Sequence, residues 1–253
     1  MGLSPKKRQS SIAEIVANDG RVLVEELASR FNTSRETIRR DLSSLASRGV
    51  VRKFHGGAEL PSLEGESHFN VRMVENAAAK IRIARAMAGL LQPGDTMFID
   101  AGSTTVFLGE ELAMAENMTI ITNSSLIAES AARGQNRVIL IGGEYHGQAS
   151  ECLGEIAIDN IRRFRTKHAI LTIGALHREH GVMDFSLGEA LVAQAMIAQA
   201  ESVTLIADGS KLQRSALVRV CGIDEFQRLV TEAAPDAELS EALANNEVDV
   251  VIA

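Results

Sequence analysis

Apolar residues recur at helical spacing in three short segments near the start of the chain. Spacings of three or four residues place them on one side of an α-helix, the side that packs into a core. These positions are Ile12, Ile15 and Val16, then Val24, Leu27, Ala28 and Phe31, and then Ile38, Leu42 and Leu45. The first segment ends near Gly20, and the break between the other two is short. The pattern therefore predicts one helix followed by a helix-turn-helix unit.

The third of these helices has a start signal and a polar side. Thr33 and Ser34 are residue types that cap helix N-termini, and Thr33 with Glu36 has the spacing of a capping box. The sides away from the apolar stripe carry arginine and hydroxyl groups. Such a helix suits the hydrogen-bonding base edges of a DNA major groove.

A basic hairpin is predicted after the third helix, where residues 50–58 turn at Gly56 and Gly57. Helix, helix-turn-helix and basic wing together predict a small α+β winged helix-turn-helix domain at residues 1–60. The candidate DNA contacts are Ser34, Arg35, Thr37, Arg39, Arg40, Arg52, Lys53 and His55. The alternative is that these charges form only a solvated face, but the order of the features favours DNA binding.

Polar residues without periodicity begin at Pro61 and predict a linker at 61–74, ahead of a second domain at 75–253. In that domain apolar, β-branched runs alternate with helical patterns. The predicted strands are 96–99, 119–122, 138–141, 169–173, 203–207, 229–231 and 248–252. Runs without polar alternation are typical of strands covered on both faces, so we expect a larger α/β domain with a mostly parallel sheet.

Small polar residues follow several of these strands. Ligands of parallel sheets bind at the carboxyl ends of the strands. The segment Asp100–Thr105 combines a glycine, hydroxyl groups and a helix N-terminus, which together suit a phosphate. Asn123, Asp208 and Lys211 follow other strands, and the lysine would bring an ammonium to an anion. The alternative interpretation of Asp100–Thr105 is an ordinary helix cap, and no nucleotide-loop motif of the G-x-x-x-x-G-K-[ST] or G-x-G-x-x-G type is present.

The formal net charge of −7 is unevenly divided along the 253 residues. Residues 1–60 contain 11 basic and 7 acidic residues, which leaves 15 of the 26 basic and 26 of the 33 acidic residues for the remainder. A basic N-terminal part on an acidic remainder confines the attraction for phosphate backbones to the predicted DNA-binding domain.

Two cysteines, Cys152 and Cys221, form neither a disulfide framework nor a metal-ligand spacing. His177 and His180 are interpreted as loop histidines, because no cysteine or further histidine lies near them. We therefore expect no metal and no cofactor. The chain has no signal peptide and no apolar run long enough to cross a bilayer, so a cytoplasmic location is expected.

On these residues the chain resembles the DeoR family of bacterial transcriptional regulators over nearly its whole length. The segments that carry the resemblance are 34–42 and 51–58, and then 94–95, 100–105, 122–124, 142–143, 174–175, 180–181 and 208–211. The resemblance implies a sensor domain with a ribose-5-phosphate-isomerase-like fold, a phosphorylated sugar or polyol as effector, and a homo-oligomer, a dimer or tetramer. The effector contacts that it and the strand ends indicate are Asp100, Gly102, Ser103, Thr104, Thr105, Asn123, Gly174, Glu189, Asp208 and Lys211.

Two positions depart from the family pattern. Leu176-His177-Arg178 follows Gly174-Ala175 where the family often has Asp-Gly-Ile, and Leu191 stands where a second acid is common. The first departure removes the acids that an isomerase would use for acid–base chemistry. We therefore expect a DNA-binding regulator, in this family most often a repressor, of a sugar or polyol catabolic operon. The alternatives are a sugar-phosphate isomerase with a nucleic-acid-binding head, and a DNA-binding protein whose second domain only oligomerises.

Overall fold

The computed structural model describes residues 5–19, 21–46, 50–59 and 69–253. The chain divides into two compact units, Met1–Gly65 and Glu66–Ala253, which we call the head and the body.

The head contains three helices and a small antiparallel sheet. Its elements are α1 (Pro5–Asp19), β1 (Arg21–Leu23), α2 (Val24–Arg30), α3 (Arg35–Ala46), β2 (Arg52–Phe54) and β3 (Gly57–Glu59). The apolar stripes pack against one another, with Ile12, Ile38 and Leu42 buried. The predicted winged helix-turn-helix fold is confirmed.

The sheet of the head has one strand more than the predicted hairpin. β3 pairs with β2 as expected, and its other edge pairs with β1, so the strand order is β1–β3–β2. A strand of three residues is too short to show the alternation of apolar and polar positions that identifies longer strands.

The two glycines of the wing are required for different reasons. Gly56 has φ of 100°, a backbone conformation that other residues rarely adopt, so it forms the turn. Gly57 lies against a neighbouring strand, where a Cβ atom would come within 2.1 Å of the Val22 carbonyl oxygen. Only the first of the pair is therefore a turn glycine, and the second is a packing glycine.

A buried ion pair joins α1 to α3. The Nε atom of Arg8 lies 2.5 Å from Oδ2 of Asp41, and Gln9 Nε2 donates to Asp41 Oδ1 at 3.0 Å. Arg8 and Asp41 are only 9% and 4% exposed. The pair therefore belongs to the core of the head rather than to its exposed surface.

The body alternates strands and helices, as predicted. Its elements are α4 (Phe69–Val74), α5 (Ala77–Ala88), β4 (Thr96–Ile99), α6 (Ser103–Leu112), β5 (Glu116–Thr122), α7 (Ser125–Ala131), β6 (Gln135–Leu140), β7 (Glu144–His146), β8 (Glu151–Leu153), α8 (Glu155–Ile161), β9 (Thr166–Leu171), β10 (Ala175–His177), β11 (Gly181–Asp184), α9 (Leu187–Ala198), β12 (Ala200–Ile206), β13 (Val218–Cys221), β14 (Arg228–Thr231), α10 (Ala237–Asn245) and β15 (Asp249–Ile252).

Seven of these strands form one parallel sheet in the order β15–β14–β12–β9–β4–β5–β6. Apolar clusters cover both faces: Phe98 packs into one, and its neighbours Met97 and Ile99 pack into the other. The predicted parallel sheet, buried on both sides, is confirmed. From β4 the chain runs outward in one direction to β6, and from β9 in the other to β15. The strand order therefore reverses between β4 and β9, the place where parallel sheets open a crevice for ligands.

Residues Phe69–Val74, expected in the linker 61–74, form the helix α4 instead. Phe69 and Val71 are buried against the body, and this packing stabilises a helix too short to be recognised by periodicity. Residues 61–68 of that segment lie outside the described part of the chain.

Two small antiparallel sheets were not predicted. They pair β7 with β8, and β10 with β11 and then β13. Most of their strands have three residues, below the length at which a pattern is visible. Among the described residues, none of the helices is long and apolar enough to span a bilayer.

Candidate functional site

The N-terminus of α3 is capped by Ser34 rather than by Thr33. Ser34 Oγ accepts a hydrogen bond from the Thr37 backbone N–H at 3.1 Å and lies 2.9 Å from Thr37 Oγ1. Because the helix begins at Arg35, the residue directly before it occupies the cap position. The Thr33–Glu36 capping box expected from the spacing is one residue out of register. Ser34 and Thr37 thus fix the start of the helix with their hydroxyls.

Three arginines of α3 are exposed, and they differ in their partners. Arg35 pairs with Glu25 at 3.2 Å, and Arg40 pairs with Glu36 at 3.4 Å. Exposed pairs of this kind contribute little to stability, so both guanidinium groups can exchange a carboxylate for a phosphate at small cost. Arg39 makes no ion pair with any residue that the structure describes.

The wing adds a lysine and a histidine to this side of α3. Lys53 Nζ donates to Ser43 Oγ at 2.8 Å, which links β2 to the last turns of α3. His55 is exposed at the turn between β2 and β3. Arg52, in contrast, pairs with the buried carboxylate of Glu59 inside the wing. Its charge is balanced there, so we assign it mainly to the stability of the hairpin.

In the body, the candidate ligand cleft opens between the carboxyl ends of β4 and β9. Asp100 follows β4, and both of its carboxylate oxygens accept from the backbone N–H of Thr172, at 2.9 and 3.1 Å, in the loop after β9. Gly102 packs so tightly against that loop that a Cβ atom would lie 2.3 Å from Thr172 Oγ1. Its φ of −175° is open to any residue, so the glycine is required for space.

The helix α6 begins in this cleft and presents its N-terminus to it. Gly102, Ser103 and Thr104 line the cleft, and no side chain that the structure describes caps the helix. Backbone N–H groups at such an end carry partial positive charge and bind anions. Thr105, expected among the contacts, is fully buried and donates to the Gly102 carbonyl at 3.0 Å. This hydrogen bond holds the loop between β4 and α6 from the buried side.

Two cations line the same end of the cleft. Lys211 was expected there, and Arg72 reaches it from α4. Asp208 is 2% exposed and accepts from Asn76 Nδ2 and from the Ser210 backbone N–H, both at 3.0 Å. It therefore shapes the turn that carries Lys211. Arg72 was missed because its segment shows no motif and was assigned to the linker.

A third cation, Lys80, is buried next to these groups. Its Nζ donates to the backbone carbonyl of Arg72, and the residue is 3% exposed. Burial lowers the pKa of Lys80 from 10.5 to about 8; Asp208 opposes this effect, and the charges of Lys211 and Arg72 add to it. Lys80 ties α5 to α4 and thereby positions Arg72.

This pKa predicts a pH dependence of the stability of the body. Between about pH 8 and 10.5 the unfolded chain binds more protons at Lys80 than the folded one. The free energy of unfolding therefore rises with pH in that window. Relative to Lys80→Met, the wild type should gain about 2 kcal/mol between about pH 7 and about pH 10. Urea unfolding of both proteins measures this difference, and parallel pH profiles would contradict the assignment.

Carboxyl groups line the other end of the cleft. Asp184 and Glu189 face both ends, whereas Asp100, Asn123 and Glu151 line only the second. Burial raises the pKa of Asp100 well above its usual range; the Thr172 N–H opposes this effect, and neighbouring carboxylates add to it.

No acid directly follows Gly174-Ala175, as the sequence indicated. The hairpin of β10 and β11 nevertheless brings an acid, Asp184, back beside Gly174. Gly174 lines the first end, and Asp184 packs against it.

His177 and His180 lie at the far end of that hairpin, with ring centroids 4.6 Å apart and stacked. With Glu179 they bring three possible ligand atoms within 4.8 Å of one another, but His180 and Glu179 are exposed and His177 is only half-buried. Cys152 and Cys221 are buried and free, and burial raises the pKa of Cys221 to about 12. We therefore assign no binding or catalytic role to these histidines and cysteines.

Comparison with known proteins identifies both units. Residues 8–64 match the model of the DeoR-like helix-turn-helix domain, and residues 75–233 match that of the DeoR C terminal sensor domain. The chain is 32% identical over 245 residues to the glycerol-3-phosphate regulon repressor of Escherichia coli (strain K12), covering 96% of this chain and 97% of that protein. It is 33% identical over 233 residues to the transcriptional repressor AccR of Agrobacterium fabrum, covering 91% and 90%.

Among solved structures, ribose 5-phosphate isomerase A of Methanocaldococcus jannaschii superimposes with a TM-score of 0.41 and 14% identity, over 54% of this chain and 55% of that one. The sequence relatives are named as transcriptional repressors, and the head has a DNA-binding fold, so the chain is a DNA-binding regulator rather than an enzyme. Both domain matches and both relatives lead to one conclusion: the chain belongs to the DeoR family of transcriptional regulators.

Proposed function

We propose that this protein is a repressor of a sugar or polyol catabolic operon, and that a phosphorylated sugar or polyol bound in the body releases it from operator DNA. The observation that carries the proposal is the first end of the cleft, where the N-terminus of α6, Lys211 and Arg72 converge. A helix N-terminus supplies N–H donors, and the two cations balance the charge of a phosphate dianion. The name of the Escherichia coli relative makes glycerol 3-phosphate the first compound to test.

Control of DNA binding requires that the effector favour one arrangement of the protein over another. Arg72 gives the effector such a contact, because it belongs to the first helix of the body, α4. In the sequence, only the three residues 66–68 separate the end of the head from this helix. A phosphate that draws Arg72 toward Lys211 therefore acts on the segment that leads to the head. A coupling of about 1–3 kcal/mol, typical of allosteric proteins, is enough for regulation.

The test is operator binding in the presence of each compound of a panel of sugar and polyol phosphates. At least one should raise the melting temperature of the body and weaken the operator complex at the same concentration. A compound that stabilises the body without changing DNA affinity would separate sensing from regulation and contradict the proposal. Sedimentation of the free protein and of the operator complex tests the expected dimer or tetramer.

On the DNA side, Arg39→Ala should weaken operator binding about tenfold or more. The Arg39 guanidinium is exposed on α3 and has no ionic partner among the described residues, so it is available to a base or a phosphate. A base contact would cost about 1–3 kcal/mol at one position, and a phosphate contact would lower the salt slope by about one. Fluorescence anisotropy over a range of salt concentrations distinguishes these two results.

The matched control for Arg39 is Arg162→Ala. Arg162 is also exposed and pairs with Asp159 at 3.1 Å, but it lies in the body, directly after α8. Its loss should leave operator affinity and the salt slope unchanged. Equal binding by the wild type, the Arg39 variant and an Arg40→Ala variant would refute the assignment of α3 as the recognition helix.

A further inference from the structure

The second end of the cleft is not explained by a phosphate site. Four of its lining residues carry carboxyl groups: Asp100, Glu151, Asp184 and Glu189. The cations Lys211 and Arg72 line only the first end. The cleft is therefore polarised, with its positive charges at one end and an excess of negative charge at the other.

A buried amide among these carboxyls indicates that the second end receives a ligand. Asn123 is 1% exposed, and its Nδ2 donates to the Cys152 carbonyl at 3.1 Å. Its Oδ1 accepts no hydrogen bond from any part of the chain that the structure describes. A buried oxygen left without a donor is costly, so a ligand that donates to Asn123 gains the full value of that bond.

The charge at this end restricts what that ligand can be. A carboxylate or second phosphate placed there would lie among several acidic groups in a partly buried site, where like charges repel strongly. Hydroxyl groups, in contrast, donate to carboxylates and to an amide oxygen without adding charge. Burial, with smaller contributions from Asp184, Glu189 and Glu151, raises the pKa of Asp100, in agreement with an environment that disfavours negative charge.

We infer that the second end holds the uncharged hydroxyl chain of the effector and rejects phosphorylated sugar acids. Asp184 and Glu189 face both ends and are the specificity-determining residues. This inference rests on the proposed function, since it assumes that the phosphate occupies the first end. It narrows the effector to a phosphomonoester whose opposite terminus is an alcohol or a neutral sugar.

Matched pairs of compounds with the same configuration at each chiral carbon test the inference, because the members of each pair then differ only in a terminal CH₂OH or carboxylate. The pairs are glycerol 3-phosphate with 3-phosphoglycerate, erythritol 4-phosphate with 4-phosphoerythronate, and sorbitol 6-phosphate with 6-phosphogluconate. Calorimetry on the full-length protein should show the polyol phosphate binding at least about tenfold more tightly in the pair of best-fitting length.

The variant Glu189→Gln should reduce this discrimination. Removal of one negative charge should raise the affinity for the sugar acid at least about threefold, while the affinity for the polyol phosphate changes less. A residue with a merely structural role would weaken both compounds together. Asp184→Asn serves as the second variant, and Glu155→Gln, an exposed first-turn glutamate of α8, is the control that should change neither affinity.

The results separate the inference from the proposed function. If a sugar acid binds the wild type as tightly as its polyol partner, the inference is wrong while the phosphate-sensing function stands. If no member of any pair binds and no compound of the wider panel affects the operator complex, the proposed function fails and the inference falls with it. The comparison within the wild type decides the matter even if a variant does not fold.

Discussion

Replacing Asp41 with alanine should unfold the head at ambient temperature while the body stays folded. The substitution leaves the guanidinium of Arg8 buried without the carboxylate that lies 2.5 Å away, and it also removes one acceptor of Gln9. Loss of one partner of a buried ion pair costs about 3–5 kcal/mol. A domain of about 60 residues has a total stability of only about 3–9 kcal/mol, so little or none would remain.

Hydrogen exchange of the full-length protein measures this effect separately in the two units. In the Asp41→Ala protein, peptides from α1 and α3 should lose their protection, peptides from the parallel sheet should keep theirs, and operator binding should be lost. A double variant, Arg8→Met with Asp41→Leu, should recover much of the protection, because two apolar side chains of similar size leave no buried charge.

The control for Asp41 is another acid of the same helix. Glu36 also pairs with an arginine, Arg40, but its side chain is 62% exposed and that of Arg40 is 81% exposed. An exposed pair four residues apart in a helix contributes about 0.3–0.5 kcal/mol, so Glu36→Ala should leave the exchange of the head nearly unchanged. If both variants behave alike, the buried pair does not hold α1 to α3.

The contrast between Asp41 and Glu36 shows what the sequence could predict. The apolar period identified α3 and placed Ile38 and Leu42 in the core, because burial of one helix face leaves a local signature. A contact between Arg8 and Asp41 joins residues 33 positions apart, and no local pattern records it. Asp41 lies in the helical turn between the core residues Ile38 and Leu42, so the sequence could have suggested that it is buried with a partner. The sequence could not have identified that partner as Arg8.

In the body, too, features with a local sequence pattern were predicted, and features that depend on contacts between distant residues were not. The strand predicted at 96–99 has those bounds, because continuous apolar runs follow from burial on both faces of a parallel sheet. The loop after it was predicted as a phosphate site from its own residues. Arg72 and Asp184 enter the cleft from a short helix and a short hairpin, where only the tertiary fold determines their position. Their contribution to the site could not be predicted from spacing.

Replacing Gly102 with alanine should reduce effector affinity about 100-fold. The new Cβ would lie 2.3 Å from Oγ1, 2.7 Å from Cγ2 and 3.0 Å from Cβ of Thr172. Rotation of the threonine side chain can place its single Cβ hydrogen in only one of the two facing positions, so at least one of the first two contacts remains in addition to the third. The loops after β4 and β9 must therefore separate. The N-terminus of α6 then moves away from Lys211, and the phosphate loses about two charge-assisted hydrogen bonds, worth about 1.5 kcal/mol or more each.

Calorimetry with the best compound of the panel measures this loss, and two further variants show its cause. Gly142→Ala is the control: Gly142 also follows a strand of the parallel sheet, β6, but a Cβ there meets no atom within 4 Å. It should bind the effector as the wild type does.

The second variant adds Thr172→Ala to Gly102→Ala. It removes the two shortest contacts and should restore part of the effector affinity. Operator binding in the absence of effector should stay normal, because Gly102 lies in the body; a Gly102→Ala protein that still binds effector normally would show that the phosphate lies elsewhere.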